Sequence, residues 1–231
     1  VIRFLRQFDA HRLRLFVFDL DGTLIDSRLD LIHSVNATLR HLGRPELDGD
    51  VIASYVGDGA PALVRRALGE TDADDHALVS TALEYFLAYY RVHKLDHTTV
   101  YSGIREVLAE LAESSNGVQR KMAVLSNKPV IPSRAIVQAL GLADFFVHVY
   151  GGNSFPTKKP DPLGLRTILD ETGVPADQAL MIGDSSIDVL TGRNAGLWTC
   201  GVTYGFAPHT LEQVAPDVLI DGPLELRKLF G

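Results

Sequence analysis

Residues 13–26 read Leu-Arg-Leu-Phe-Val-Phe-Asp-Leu-Asp-Gly-Thr-Leu-Ile-Asp. The apolar positions from Leu15 to Phe18 form an unbroken run instead of alternating. That is the pattern of a short strand buried on both faces inside a parallel sheet. Past Asp26 the period changes. Leu29, Ile32, Val35, Leu39 and Leu42 recur at three- and four-residue steps until Gly43 and Pro45 stop them, which predicts an amphipathic helix. A short segment, 50–55, leads into Val56-Gly57-Asp58-Gly59-Ala60-Pro61. A helix is expected over 62–68, with Pro61 near its first turn and Gly69 as its stop. Asp72, Asp74 and Asp75 then precede a long helical run whose apolar face is Leu78, Ala82, Tyr85, Phe86 and Tyr89. No stretch of 27–94 reads as a strand.

From about residue 98 strand and helix patterns alternate. A helix follows Ser102 and Gly103, through Ile104, Val107, Leu108 and Leu111. Buried strands are expected at 122–125, 145–150, 179–182, 198–202 and 218–220, with helices between them, one over about 163–171 and another stopped by Gly196. Strands separated by helices imply right-handed crossovers and a mostly parallel sheet. The fold class is therefore α/β: a Rossmann-like, mostly parallel sheet with helices on both faces, plus an inserted all-helical segment. The change of period at both joints places one unit over 1–26 and 95–231 and the helical unit over 27–94.

Composition narrows the function. The chain has 231 residues, 46% of them hydrophobic and 22% charged, enough to bury a sizeable core. A net charge of −7 without a Lys/Arg-rich block argues against a nucleic-acid partner. No apolar run is long enough to cross a bilayer, and the first ten residues lack the apolar centre of a signal peptide. The single cysteine, Cys200, excludes an internal disulfide and suits a reducing, cytoplasmic location. A monomer or a homodimer is expected.

The predicted strands end in chemistry-bearing residues: Asp19 and Asp21; Ser126 and Asn127; Lys158 and Lys159 in the loop after the third strand; Asp184 and Asp188. In an open α/β sheet, ligands bind beyond the carboxyl ends of the strands. Two carboxylates one residue apart repel each other unless a cation sits between them or one keeps its proton. A carboxylate pair joined by a third carboxylate is a hard oxygen site suited to Mg²⁺, and no His/Cys cluster has zinc-ligand spacing. A lysine and a hydroxyl beside such a metal make a phosphate pocket. Each residue also has a plain structural reading: a turn at Ser126-Asn127, solvated lysines, an acid at a helix start for Asp188. Their joint occurrence at successive strand ends singles out the chemistry.

These residues resemble the haloacid dehalogenase superfamily of phosphohydrolases, and within it the phosphoglycolate phosphatase-like group. Four motifs match in order: Asp19-Leu-Asp-Gly-Thr23, Ser126-Asn127, Lys159 before Pro160, and Gly183-Asp184-Ser-Ser-Ile-Asp188. The stretch from Gly201 to Gly205 and the pair Pro216-Asp217 match the C-terminal pattern of that group. The helical segment looks like the family's cap domain. The resemblance implies that Asp19 is the nucleophile forming an aspartyl-phosphate, and that Asp21 protonates the leaving oxygen and then activates water. It implies Mg²⁺ on the Asp19 carboxylate, the Asp21 backbone carbonyl and Asp184. Asp188 would hold metal-bound water or orient Lys159. Ser126 and Lys159 would hold the phosphoryl oxygens, with Asn127 beside them. The Lys-Pro pattern favours Lys159 over Lys158. Gly57, Asp58 and Gly59 would form a cap loop closing over a small anionic leaving group, aided by Arg65 or Arg66.

The expected activity is Mg²⁺-dependent hydrolysis of a small phosphate monoester, phosphoglycolate first. Asp21 argues against dehalogenase and phosphonate hydrolase activities of this fold, which lack the second acid. β-Phosphoglucomutase relatives carry a His twelve residues after the nucleophile; here that position is Leu31, and His33 falls elsewhere on the helix. Phosphatases of sugar phosphates, nucleoside monophosphates or pyrophosphate fit the same motifs. A phospho-acceptor signalling domain shares strand-end Asp, Mg²⁺ and Lys, yet needs neither Asp21 nor a helical insertion of this size.

Overall fold

The computed structural model describes residues 1–69, 75–113 and 119–230; Asp72 and Asp74 lie outside them. Its strands are β1 (Arg3–Phe4), β2 (Leu15–Phe18), β3 (Ile25–Asp26), β4 (Thr99–Val100), β5 (Lys121–Leu125), β6 (His148–Tyr150), β7 (Ala179–Gly183), β8 (Trp198–Val202) and β9 (Val218–Ile220). The helices are α1 (Arg28–His41), α2 (Gly49–Ser54), α3 (Ala60–Leu68), α4 (His76–His93), α5 (Ile104–Ala112), α6 (Val130–Ala139), α7 (Leu163–Thr172) and α8 (Ser186–Ala195).

Seven strands form one sheet in the order β1-β9-β8-β7-β2-β5-β6. All its pairings are parallel except the antiparallel edge between β1 and β9. β2 lies between β7 and β5, and Leu15, Phe16, Val17 and Phe18 are fully buried. Phe16 and Phe18 pack into the larger apolar cluster with α5 and α6; Leu15 and Val17 pack into the smaller one with Leu165 and Ile168 of α7. The two faces of one strand thus feed two cores, which is why the run shows no alternation. The expected α/β sheet with helices on both faces is the observed one.

The third strand is shorter than expected: 143–145 forms a 3-10 turn and only His148–Tyr150 pairs with β5. Phe145 and Phe146 pack on the core from that turn, so their hydrophobicity marks burial without strand pairing.

Among the described residues, 27–94 contains helices and no strand. The short antiparallel pair β3–β4 lies at the two points where the chain leaves and rejoins the sheet. The buried stripe of α1 is Leu31, Val35 and Leu39, and Leu29 is exposed, one position off the expected face. In α4 the stripe is Val79, Ala82, Phe86 and Tyr90. Tyr85 and Tyr89 flank it and stack on His41 and His93, with ring centroids 4.0 and 4.2 Å apart. Rings stabilised by stacking at a helix edge mimic a core stripe in sequence. Asp75 caps α4 by accepting the backbone N–H groups of Ala77 and Leu78. None of the helices is long and apolar enough to cross a membrane, among the described residues.

Candidate active site

The carboxyl ends of β2, β5 and β7 are adjacent because these strands pair directly, in parallel and in register. That brings Asp19, Ser126 and Asp184 to one edge of the sheet, each buried. Oxygens of Asp19, Asp184 and Asp188 lie within 4.8 Å of one another. Gly22 allows the approach: its φ is +80°, and a Cβ there would lie 2.3 Å from Asp184 Oδ2.

Two buried lysines offset this negative charge. Lys159 Nζ lies 2.7 Å from Asp19 Oδ1 and 2.6 Å from Asp188 Oδ1. Burial works against its charge, but Asp188 and Asp19 outweigh burial and raise its pKa, so it stays an ammonium. Lys128 Nζ donates to both oxygens of Asp21, at 2.8 and 2.9 Å. Its charge is likewise opposed by burial and held by Asp21, with the Tyr90 ring centroid 4.7 Å away. Ser27 Oγ donates to Asp21 from the other side.

The carboxylates divide into two kinds. Asp188 is fully engaged: Oδ1 accepts Lys159, and Oδ2 accepts the backbone N–H and hydroxyl of Ser185, in the capping box of α8. Its contacts are those of a group that orients Lys159. Asp184 accepts the N–H groups of Phe206 and Ala207 on one oxygen, Oδ2. Asp19 Oδ1 is buried without a hydrogen bond; its contact with Lys159 is an ion pair. Burial pushes the Asp19 carboxyl up to about 6, with Lys159 opposing and Asp188 adding to the rise. Burial, then the Asp188 and Asp19 charges, push Asp184 up to about 8. Such a cluster of hard oxygen donors with excess negative charge fits a divalent cation. The Asp21 side chain lies outside the carboxylate cluster, on Lys128 and Ser27; its expected metal contact is through the backbone carbonyl.

Ser126 Oγ accepts the Lys128 N–H at 3.2 Å, which leaves its hydroxyl hydrogen available. Asn127 clamps the loop that carries Lys159: Nδ2 donates to Lys159 O at 3.1 Å and Oδ1 accepts Lys159 N at 2.9 Å. The same Nδ2 reaches Gly57 O at 3.1 Å. The amide expected beside the phosphate is thus committed to positioning backbone. Lys158 turns away and donates to Asp58 O, so Lys159 alone of the pair enters the site. Gly57 and Gly59 line the cavity above Asp19. The Asp58 carboxylate pairs with Arg66, which also donates to Tyr55 O. Arg65 is exposed, and neither arginine lines the cavity.

The cavity, about 60 Å³, has the polar groups on its floor and Leu31, Val56, Leu63, Phe86 and Tyr90 above. Leu31 stands where a mutase would need its acid–base group, and His33 is exposed elsewhere. Sequence reading assigned no role to Lys128, Ser27 or the Phe206-Ala207 backbone. A lysine just past a strand end, between Ser126 and Pro129, was the available signal for the first. The other two become visible only when the turn around Gly22 and the loop after β8 meet.

A family model of haloacid dehalogenase-like hydrolases matches residues 16–202, spanning the site from Asp19 to Asp188. The chain belongs to the haloacid dehalogenase-like hydrolase family. A phosphoglycolate phosphatase of Rhodospirillum rubrum is 41% identical over 220 residues, covering 93% of this chain and 90% of that protein. One of Chromobacterium violaceum is 39% identical, covering 92% and 94%. The crystal structure of a predicted phosphoglycolate phosphatase from Haemophilus somnus superposes with a TM-score of 0.86 at 28% identity, covering 94% of this chain and 98% of that one. In a hydrolase of this family, a carboxylate at the end of β2 that is paired with Lys159 and clustered with Asp184 can meet an anionic ester once a cation offsets the excess negative charge.

Proposed function

We propose that this hydrolase is a phosphoric monoester hydrolase acting on phosphoglycolate through an aspartyl-phosphate on Asp19. The observation that carries the reading is the division of labour at the site. Asp19 is set between a carboxylate cluster and Lys159, while Asp21 is held apart by Lys128 at the cavity floor. The relatives that share this chain over nearly its whole length carry the name phosphoglycolate phosphatase.

Mg²⁺ suits the donor set, with Asp19 and Asp184 as its carboxylate ligands and the Asp21 carbonyl beside them; when bound it neutralises phosphoryl charge. The chain's own residues do the rest. Lys159, oriented by Asp188, and the Ser126 hydroxyl bind phosphoryl oxygens. A dianionic ester approaches a carboxylate only when cations offset the repulsion. The Asp19 carboxylate attacks phosphorus, and the bond to the leaving oxygen breaks. Asp21 gives that oxygen a proton, then takes one from the water that hydrolyses the acyl phosphate. Residues 27–94 serve as a cap over a core of 1–26 and 95–231, and the roof over the cavity limits the leaving group to a small one. The enzyme works in the cytoplasm, as a monomer or homodimer.

The test is phosphate release from a panel of small esters with Mg²⁺: phosphoglycolate, sugar phosphates, nucleoside monophosphates and pyrophosphate. The expected result is the highest kcat/KM on phosphoglycolate. A preference for a bulky sugar phosphate would overturn the substrate, and no release from any ester would overturn the activity.

A further inference from the structure

A second cluster lies away from the cavity. Asp30 sits in the first turn of α1, and His33 follows three residues later on the same helix face. His97 lies on the returning chain, just before β4. Ligand atoms of the three lie within 4.8 Å of one another. His97, 67 residues from Asp30, meets the other two only because the chain crosses twice between the helical segment and the sheet.

The carboxylate is fixed from behind. Asp30 is buried; Oδ2 accepts Thr98 N at 2.9 Å and Thr98 Oγ1 at 2.6 Å, and the His97 N–H reaches Oδ1 at 2.9 Å and Oδ2 at 3.2 Å. Oδ1 therefore keeps accepting capacity. Outer hydrogen bonds of this kind hold a metal-ligating carboxylate in place. Both imidazoles are exposed and stand edge to face, with centroids 5.2 Å apart. The remaining acid beside His97, Asp96, is taken by His93 Nδ1 at 2.7 Å. The Thr98 bonds explain Asp30 as a strut between α1 and the returning chain; they do not explain two imidazoles converging on it.

We propose that Asp30, His33 and His97 bind a divalent transition-metal ion, Zn²⁺ being the best chemical match. Two imidazoles and one carboxylate form a borderline donor set of the kind Zn²⁺ takes, with water completing the shell. Mg²⁺ prefers oxygen alone, so the two sites select different ions. Metal–ligand bonds of about 2.0–2.2 Å put tetrahedral ligands roughly 3.4 Å apart. The exposed rings close the difference by side-chain rotation. A bound ion ties α1 to residue 97, fastening both chain crossings at once.

The full chain, saturated with Mg²⁺, is titrated with Co²⁺ as a spectroscopic probe, and its Tm is followed with Zn²⁺. The expected result is one equivalent of Co²⁺ giving the intense visible bands of a low-coordinate nitrogen/oxygen site, and a Zn²⁺-dependent Tm rise of several degrees. His33→Asn and His97→Asn remove both responses and keep wild-type phosphatase activity with Mg²⁺, which shows that they fold. Asp19→Asn keeps the Co²⁺ bands, separating this site from the carboxylate cluster. Absence of the bands in the wild type, or bands unchanged in both histidine variants, overturns the proposal. Because the readout is binding, failure of the phosphatase reading leaves the result intact.

Discussion

Lys128 Nζ is shared between the two carboxylate oxygens of Asp21, at 2.8 and 2.9 Å, and the pair is almost fully buried at the cavity floor. A buried carboxylate without that cation would be costly. The lysine thus makes it possible for Asp21 to stand just beyond Asp19 at the strand end without joining the carboxylate cluster. Its other neighbour, Ser27 at the start of α1, ties the same carboxylate to the helical segment.

If Asp21 is the general acid, its loss depends on the leaving group. Asp21→Asn is expected to slow alkyl phosphate hydrolysis about 10²–10⁴-fold, the range of general acid catalysis, and to slow a nitrophenyl ester far less. Lys128→Met should show the same ranking, and the double variant should be little worse than the worse single one. Burst amplitudes of nitrophenol check that the first step is being compared. Equal losses on both substrates remove the acid role.

Asp19→Asn replaces the proposed nucleophile by an amide and takes a charge from the cluster. Turnover is expected to fall at least about 10³-fold, with no acid-stable, hydroxylamine-labile acyl phosphate trapped on the protein. Binding of inorganic phosphate should persist through Lys159 and Ser126. Turnover that survives in a preparation cleared of contaminants places the nucleophile elsewhere.

The metal-free protein carries a pH-dependent liability. Folding raises Asp19 from its ordinary 3.8 to about 6 and Asp184 from 3.8 to about 8, burial being the main cause in each. A carboxyl raised in this way binds more protons folded than unfolded, so stability falls as pH rises. The contribution is complete below about pH 4 and is lost as pH passes through about 6 and then about 8. Asp184→Asn should therefore stabilise the chelated protein at pH 8.5 by ~1–3 kcal/mol, a Tm gain of about 3–10 °C, and have little effect at pH 4.5. With Mg²⁺ added, the order reverses: the wild type gains Tm and the variant gains less. Melting curves at both pH values, with chelator and with Mg²⁺, decide it. A wild-type Tm flat from pH 5 to 8.5 in chelator contradicts the cluster's electrostatics.

Much of this site was legible because strand ends announce themselves. An apolar run stopping at Asp19, at Ser126 or at Asp184 gives the residue and its edge of the sheet together. The loop with Lys158 and Lys159 was legible as a strand-end loop, and the choice of Lys159 came only by resemblance. Its reach depends on Asn127 clamping the backbone on both sides, a contact between residues 32 apart in the chain. Roles set by such tertiary bonds leave no periodic trace. Asn127, expected beside the phosphate, also brackets the Lys159 backbone. Lys128 carried no role in the sequence and holds Asp21. Leu29 and Tyr85 fitted helical spacing but face solvent or an aromatic stack, since spacing defines a stripe only to within one residue when both flanks are apolar.

The loop from Val56 to Ala60 gives the sharpest test of substrate choice. Two backbone-directed bonds seat it on the sheet side, Asn127 Nδ2 to Gly57 O and Lys158 Nζ to Asp58 O, and Arg66 to Tyr55 O braces it from within the helical segment. The Asp58 carboxylate, which would repel an anionic leaving group, is turned to Arg66. That leaves the amides at the start of α3 as the loop's contribution to a carboxylate. Gly57→Val and Gly59→Val do not test this equally. A Cβ on Gly59 would lie 2.8 Å from Asn127 O, so Gly59→Val lifts the loop and disturbs the Lys159 clamp as well. It is expected to lower kcat/KM on phosphoglycolate and on a nitrophenyl ester alike. The nearest atom to a Cβ on Gly57 is Ile187 Cδ1 at 3.9 Å, so Gly57→Val meets no clash; its φ of +128° strains only the loop itself. A loop that reads the glycolate carboxylate should then lose efficiency about tenfold or more on phosphoglycolate and little on the nitrophenyl ester. Arg66→Met frees the Asp58 carboxylate and should show the same selectivity, with its loss appearing in KM. If Gly57→Val and Arg66→Met slow both esters equally, the loop only closes the site. The phosphoglycolate reading then fails while the phosphatase reading survives, since Lys128, which lines the cavity, is already held by Asp21.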